Sequence, residues 1–538
     1  MGYLSSPYEV FAQRAGHQPD VSLAAAPAAA RLPWAPDGYA ITYGEALREV
    51  RNLQDHYTAA GFGHGSRVAL LLENRPAFLQ HWLALNSIGA SIVPLNADLR
   101  PEELLHQLQV SGANAVIAVP GFEALLEAGV PAGVPVSLAD EAPPQAKVRQ
   151  VPRIASATDE AALLFTSGST GKPKACILSN HYFMTLARWY LSLPGVSLAG
   201  NEVPVALTPL PFHHMNALGC TAVGMMLAGG TIVPLDRFHP KRWWQTVSES
   251  GATIAHGLGV IPAILLQLEE GTFDTRHRAH ALFSPGVDAA HKVAFEARFG
   301  LPILEGWAMT ETGGAAVIDT VGLTENLGPR CIGHSRTSSM EWRIVDDGDQ
   351  DVAQGVPGEL LVRTSGSNPR DGFFSGYLDD ESATEEAWRG GWFHTGDVMR
   401  IMEDNTFFFV DRKKSIVRRS GENISALEVE AALLDDNAVR AAAVTPVSDD
   451  LRGEEVFAFV VPAAEKIAED FANALVSRLA VRLSYQKLPG FVSVVDALPL
   501  SPTQKLLRGK IRGDAEQSVR NGQATDLRKT KSALRVKT

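Results

Sequence analysis

Residues Ala162 to Ser179 read ALLFTSGSTGKPKACILS, and the architecture follows from this stretch. Two apolar runs, Ala162 to Phe165 and Ala175 to Leu178, enclose a segment dense in hydroxyls, glycine and lysine. The pattern predicts strand, loop, strand. Such a loop suits phosphate: Gly168 and Gly171 let backbone amides approach closely, Thr166, Ser167, Ser169 and Thr170 offer donors, and Lys172 and Lys174 bring charge. It is not a Walker A loop. That motif needs four residues between Gly and GlyLys, then Ser or Thr opening a helix; GSTGK has two and is followed by Pro173 and a strand. On composition alone the letters also fit a polar surface hairpin.

Upstream, helical apolar spacing from Glu45 to Gly61 gives way to a strand at Ser66 to Leu72, a helix at Ala77 to Gly89, a strand at Ala90 to Asn96 and another round ending at Val119. Downstream, a helix at His181 to Leu193, capped by Ser179 or Asn180, leads to strands at Val205 to Pro211 and Thr231 to Leu235 flanking a buried helix at Ala217 to Ala228. Further strands are expected at Ala252 to Val260, Ala281 to Pro285 and from Leu301. This alternation predicts an α/β fold of doubly wound, largely parallel sheets covered by helices. From Cys331 to Leu361 short strands and turns mark a β-rich section, and Arg440 to Arg512 alternates again as a small α+β domain.

Asp411 to Arg419 carries five basic residues and fits a linker or hinge. The expected organisation is a large N-terminal domain over residues 1–410, a small mobile C-terminal lid over 411–515, and a basic disordered tail over 516–538.

A chain of 538 residues exceeds one ordinary core. Its net charge of -12 argues against a general nucleic-acid or anionic-membrane binder, and no stretch approaches the roughly 18 apolar residues of a spanning helix. The amino terminus has no basic segment followed by an apolar core, so no signal peptide is expected. Cys176, Cys220 and Cys331 lack metal-ligand spacing and fit a reducing cytoplasm. Adjacent His213 and His214 would point to opposite faces of a strand, with no further ligand at metal spacing; each reads by default as structural, with a pocket mouth the sharper option for His214. Thr310 and Glu311 follow an apolar strand, where open α/β sheets place ligands.

TSGSTGKPK, PFHHMNAL, GWAMTE, HTGD, DRKKSIVRRSGENI and the terminal PTQK occur here in the order seen in acyl- and aryl-CoA synthetases, adenylation domains and luciferases. From about Tyr8 to Arg512 the chain resembles that adenylate-forming superfamily, most of all the bacterial acyl-CoA ligases of the crotonobetaine and medium-chain type. The resemblance implies ATP, Mg²⁺ and coenzyme A, with a small or medium carboxylic acid converted first to an acyl-adenylate and then to a thioester. It implies neither nucleic acid nor membrane insertion, and it is compatible with a homodimer.

By that resemblance, the loop Thr166 to Lys174 holds the β and γ phosphates, Glu311 carries Mg²⁺ and Thr310 bonds the α-phosphate. Glu305, Gly306 and Trp307 flank adenine, with Trp307 stacked on it, while Asp397 and Arg412 take the ribose hydroxyls. Lys505 bridges acid and α-phosphate. His214, Asn216, Gly286 and Val287 line the acyl pocket. Lys414 is the hinge, and Ser420 and Gly421 line the CoA tunnel after the small domain rotates. Read singly, Lys505 would be a solvated lysine, Asp397 a turn residue and Arg412 the partner of a surface acid.

The chain departs from the family pattern in places. Gln504 replaces a glycine, Trp307 and Ala308 replace Tyr and Gly, SPGVD at Ser284 to Asp288 replaces a GlyAlaPro-like turn, and Ser415 replaces an Asp. The bulk of Trp307 points to a small or medium acid, aromatic or polar, rather than a long fatty chain. The alternative product is an acyl group passed in trans to a carrier protein; an oxygenase of the luciferase type and a pseudoenzyme fit less well.

Overall fold

The structure, a computed structural model, describes residues 4–166, 173–200, 202–323, 328, 330–419, 422–449, 452–464, 468, 470–483, 485–500 and 506–534, with only the backbone of Lys414, Arg418, Glu422 and Asn423. Among these residues the α/β alternation builds two seven-stranded sheets. In the first, the order is Gly376–Tyr377, Lys174–Ser179, Glu160–Thr166, Ser91–Pro94, Arg67–Leu71, Ala115–Ala118 and Val136–Leu138. Ser91–Pro94 and Ala115–Ala118 are buried at every position, as parallel strands covered on both faces must be. Lys174–Ser179 runs antiparallel to both its neighbours.

The second sheet runs Ile303–Leu304, Ala281–Phe283, Ile254–His256, Val205–Thr208, Thr231–Pro234, Ser22–Ala26 and Tyr39–Thr42, with only the last antiparallel to its neighbour. Helices Pro76–Ser87 and Asn180–Tyr190 share one apolar core with residues of both sheets. Trp82, fully buried, also donates to Ala161 O at 3.1 Å, which satisfies its indole nitrogen within that core. Ser179 is the cap of the second helix, accepting from Tyr182 N at 3.2 Å.

Two expected elements change. The apolar run Ala217 to Ala228 divides into a π-helix, Asn216–Val223, and a short α-helix, Gly224–Ala228. A Cβ on Gly219 would lie 2.4 Å from the Leu186 side chain, so the bare glycine lets the π-turn press against helix Asn180–Tyr190. Wide turns of this kind often mark functional positions. The stretch Ala252 to Val260 is a strand only over Ile254–His256 and enters a helix at Val260.

The β-rich section is a third, antiparallel sheet that includes Gly306–Trp307, Phe393–Ile401 and Phe407–Arg412. A six-stranded sheet forms the small domain, with Ile416–Arg419, Val439–Asp449, Gly453–Pro462 and Phe491–Val494 among its strands. The seam is at Asp411, which is buried and accepts from Ser425 Oγ at 2.9 Å and Leu427 N at 3.1 Å, at the start of helix Ala426–Leu434. A carboxylate there meets free amides and the positive helix end. Three side chains of the basic run read as a linker or hinge are held in ion pairs. Arg412 pairs with Asp397, Lys413 with Glu359 and Arg419 with Glu455.

Of the tail expected to be disordered over 516–538, the described residues, 516–534, are ordered instead. Helix Arg508–Arg520 is followed by Thr525–Asp526, which pairs with Phe491–Val494, and by helix Arg528–Leu534. Its composition misleads because Leu527 is buried and Lys531, 1% exposed, spends its charge on buried Glu455 at 2.7 Å. Among the described residues no helix is long and apolar enough to cross a membrane.

Candidate active site

The hairpin brings Thr166 directly opposite Lys174. Ser167, Gly168, Ser169, Thr170, Gly171 and Lys172 lie outside the described residues, as do Ser420, Gly421 and Lys505 and the side chain of Lys414. Lys174 Nζ pairs with Asp380 Oδ2 at 3.1 Å and stands 4.8 Å from the ring centre of Tyr377. Tyr377 in turn donates its hydroxyl to Glu311 Oε1 at 2.9 Å. Cys176, the cross-strand partner of Tyr377, has its thiol pushed up by burial and by the Glu311 charge.

Glu311 is buried, and burial raises its carboxyl above the usual range against the opposing effects of Tyr377 and the Arg412 charge. The donor that meets it, the Tyr377 hydroxyl, is neutral, which leaves a desolvated carboxylate suited to a cation. No group of three or more His, Cys, Asp or Glu that could hold a metal occurs among the described residues. One carboxylate with substrate phosphates, the usual surroundings of Mg²⁺, fits this donor set. Thr310 is half-buried beside it, in a turn closed by Met309 N donating to Thr312 Oγ1 at 2.9 Å.

A second cluster sits on the third sheet, where Asp397 and Arg412 are cross-strand partners. Asp397 is fully buried and accepts from Trp307 Nε1 through Oδ2 at 2.7 Å. Arg412 Nε lies 2.7 Å from Oδ1, but among the described residues Oδ1 receives no aligned hydrogen bond. Burial pushes the Asp397 carboxyl up while Arg412 and Trp307 oppose it. The Arg412 charge opposes the upward shift of both carboxylates, Asp397 and Glu311.

A third group closes the turn after Ala281–Phe283. Glu305 accepts from the amides of Gly286 and Val287, each at 3.1 Å, with Lys292 Nζ at 3.7 Å; burial lifts its carboxyl and Lys292 opposes that. Gly306 and Trp307 follow Glu305 directly. The His214 ring packs 4.4 Å from that of His213, and burial and this neighbour hold His213 well below the usual imidazole range. Asn216 Oδ1 accepts from His256 Nδ1 at 2.8 Å, and His256 Nε2 meets the Tyr190 hydroxyl at 2.5 Å.

Tyr377, Cys176, His256 and Tyr190 were not anticipated. The alternation of side chains along a strand places Lys174 and Cys176 on one face, a signal available for Cys176. Tyr377 arrives from a distant segment, and only pairing of Gly376–Tyr377 with Lys174–Ser179 brings it in.

Residues 11–378 match the family described as AMP-binding enzyme, and residues 428–505 match the AMP-binding enzyme C-terminal domain. The chain belongs to the AMP-binding enzyme family. A feruloyl-CoA synthase from an Amycolatopsis species is 34% identical to it over 488 residues, 88% of this chain and 94% of that protein. A crotonobetaine/carnitine–CoA ligase from Salmonella typhi is 27% identical over 493 residues, 88% and 93% of the two chains. Among solved structures, ATP-bound MatB from Rhodopseudomonas palustris aligns with a TM-score of 0.79 at 23% identity, covering 95% of this chain and 99% of that one. The o-succinylbenzoate CoA synthetase of Bacillus subtilis, in complex with its acyl-adenylate, aligns at 0.77 and 24% identity over 93% and 97%. This AMP-binding enzyme therefore has the fold of the adenylate-forming ligases, and it is an AMP-forming acid–thiol ligase of that superfamily.

Proposed function

We propose that this ligase activates a small or medium carboxylic acid with ATP and Mg²⁺ and transfers the acyl group to coenzyme A. The acid's carboxylate attacks the α-phosphorus, pyrophosphate leaves, and the CoA thiol then attacks the acyl carbon of the mixed anhydride and releases AMP. Charge builds on phosphoryl oxygens in the first step, so catalysis is mainly positioning and electrostatic stabilisation.

The observation that carries the nucleotide reading is Asp397. It is a fully buried carboxylate with Trp307 on one oxygen and, on the other, an acceptor with no aligned donor, 2.7 Å from Arg412. A vicinal diol such as a ribose supplies the missing donors. Trp307 would then bring its indole to adenine while its edge holds Asp397, and Glu305 and Gly306 would frame the base. Thr166 to Lys174 would take the β and γ phosphates and Thr310 the α-phosphate. When bound, Mg²⁺ would neutralise phosphate charge, held by Glu311. Lys505 would bridge acid and α-phosphate, Lys414 would serve as hinge, and Ser420 and Gly421 would line the thiol tunnel. His214, Asn216, Gly286 and Val287 would line the acyl pocket. The free, buried cysteines support a cytoplasmic location.

The test is pyrophosphate and AMP release over a panel of acids, with and without CoA. Acid-dependent pyrophosphate release with CoA-dependent AMP release is expected; AMP release only with an acyl-carrier protein would transfer the second step to that acceptor. Lys505→Ala should abolish adenylation yet retain thioester formation from supplied acyl-adenylate. Equal loss of both half-reactions would remove Lys505 from its assigned step.

A further inference from the structure

Asn216, His256 and Tyr190 form a buried chain of hydrogen bonds that the adenylation chemistry does not use. Tyr190 and His256 are 0% exposed and Asn216, at the start of the π-helix, is half-buried. Burial holds His256 down to about 3, so the ring is neutral and has one N–H and one lone pair. Asn216 Oδ1 can only accept, so His256 Nδ1 must be the donor across their 2.8 Å contact. His256 Nε2 must then accept, and the Tyr190 hydroxyl donates to it at 2.5 Å. The chain has one direction, from Tyr190 through His256 to Asn216. Its carboxamide oxygen is consumed, and its NH₂ group meets no acceptor among the described residues.

The position of that NH₂ group gives it a purpose. His256 ends one parallel strand and Phe283 ends the next, and their rings pack edge to face at 5.7 Å. A Cβ on Gly306 would stand 2.9 Å from the Phe283 ring, so the strand carrying Gly306 lies flush against it. Trp307 follows and bonds Asp397. Contacts therefore run from Asn216 through His256, Phe283 and Gly306 to Trp307 and Asp397, along the carboxyl ends of the strands, where open α/β sheets hold ligands. A molecule whose reacting carboxylate lies at the nucleotide end would present its far end to Asn216.

We propose that Asn216 determines acid specificity by donating to an oxygen acceptor, a ring hydroxyl, ether or keto oxygen, at the far end of the acid, and that His256 and Tyr190 are positioning residues that turn its NH₂ toward that oxygen. The inference rests on the assignment of Asn216 to the acyl pocket. Polar groups built to meet a substrate hydroxyl discriminate strongly against the analogue lacking it, because the site group is left unpaired.

The experiment compares kcat/KM for pyrophosphate release with paired aromatic acids that differ only in a ring hydroxyl or methoxy group, using the full chain. Wild type should favour the oxygenated member. Asn216→Leu should shrink that preference about 10- to 100-fold, mainly through KM for the oxygenated acid. Asn216→Asp, with no NH₂ donors, should lose the preference for the methoxy acid while retaining part of that for the hydroxy acid. Tyr190→Phe should narrow the preference with kcat little changed. An unchanged preference in folded Asn216→Leu, or no preference in wild type, overturns the proposal while leaving the ligase reading intact. Absence of pyrophosphate release with every acid would instead overturn the ligase reading and this inference with it.

Discussion

The Tyr377 hydroxyl donates to Glu311 Oε1 at 2.9 Å while Lys174 Nζ stands 4.8 Å from the centre of the same phenol ring. One side chain thus joins the hairpin proposed to hold phosphate to the carboxylate proposed to hold Mg²⁺. Tyr377→Phe keeps the ring for Lys174 and removes only the donor. The expected result is a several-fold rise in the Mg²⁺ concentration needed for half-maximal pyrophosphate exchange, with kcat recovering at excess Mg²⁺. Mn²⁺ binding to the ATP complex, followed by electron paramagnetic resonance, should weaken in parallel. Equal metal dependence in the two proteins would show that Tyr377 only packs the strand.

Trp307 and Asp397 offer a second check. Trp307→Phe leaves an aromatic surface but deprives a fully buried carboxylate oxygen of its donor, a loss of about 1–3 kcal/mol. KM for ATP should rise while thioester formation from supplied acyl-adenylate changes less at saturation. Asp397→Asn should raise KM for ATP about 10-fold or more, since a charge-assisted bond is replaced by a neutral one. A change confined to KM for the acid would move both residues out of the nucleotide site.

The acid limb of ATP binding tests the electrostatics. Burial raises both Glu311 and Asp397 above ordinary carboxylates. As pH falls through that window the folded chain takes up protons before the unfolded chain does. These groups therefore make the ligand-free fold more stable toward lower pH, and ATP binding weaker. Glu359 does not obscure the effect: burial raises it, but His394 and Lys413 together hold it down to about 2, so its contribution persists until pH falls below the unfolded range. Thermal melts from pH 7 to 5 should show a shrinking increment from ATP and Mg²⁺. In Glu311→Gln the pH dependence of that increment should flatten; an increment independent of pH in wild type would contradict the buried-carboxylate account.

How far the sequence could be read follows from the range of the interactions. The hairpin strands, the parallel strands and the helix cap, narrowed to Ser179 or Asn180, were legible because they depend on periodicity and local donors. Asp397 and Arg412 were legible as separate letters, whereas their pairing across two strands was not. His256 sat in an apolar run that looked like an uninterrupted strand, and its partners Tyr190 and Asn216 lie 66 and 40 residues away. Burial reversed the meaning of charge in the basic run and the tail. Arg419 and Lys531 have the composition of solvent-exposed residues, yet both face Glu455, which is 0% exposed.

That last arrangement gives the sharpest prediction about the tail. Glu455 accepts from Arg419 Nε at 2.8 Å and Lys531 Nζ at 2.7 Å, and Lys531 also donates to the carbonyls of Gln486 and Leu488. Helix Arg528–Leu534 is thereby fixed to the strand Gly453–Pro462 and, through Arg419, to Ile416–Arg419. Lys531→Met removes one of the three cations, Arg419, Arg452 and Lys531, that among the described residues lie within 4.0 Å of a buried carboxylate, and it leaves two carbonyls short of a donor, which should cost about 3 kcal/mol. Burial also holds Lys531 down to about 8, well below its unfolded value of about 10.4. Between those pH values the unfolded chain carries the extra proton, so wild-type stability should rise with pH across that window. In Lys531→Met that rise should disappear. If the tail were instead solvated, the variant would melt like wild type at every pH, and limited proteolysis would remove the residues after Arg520 at once.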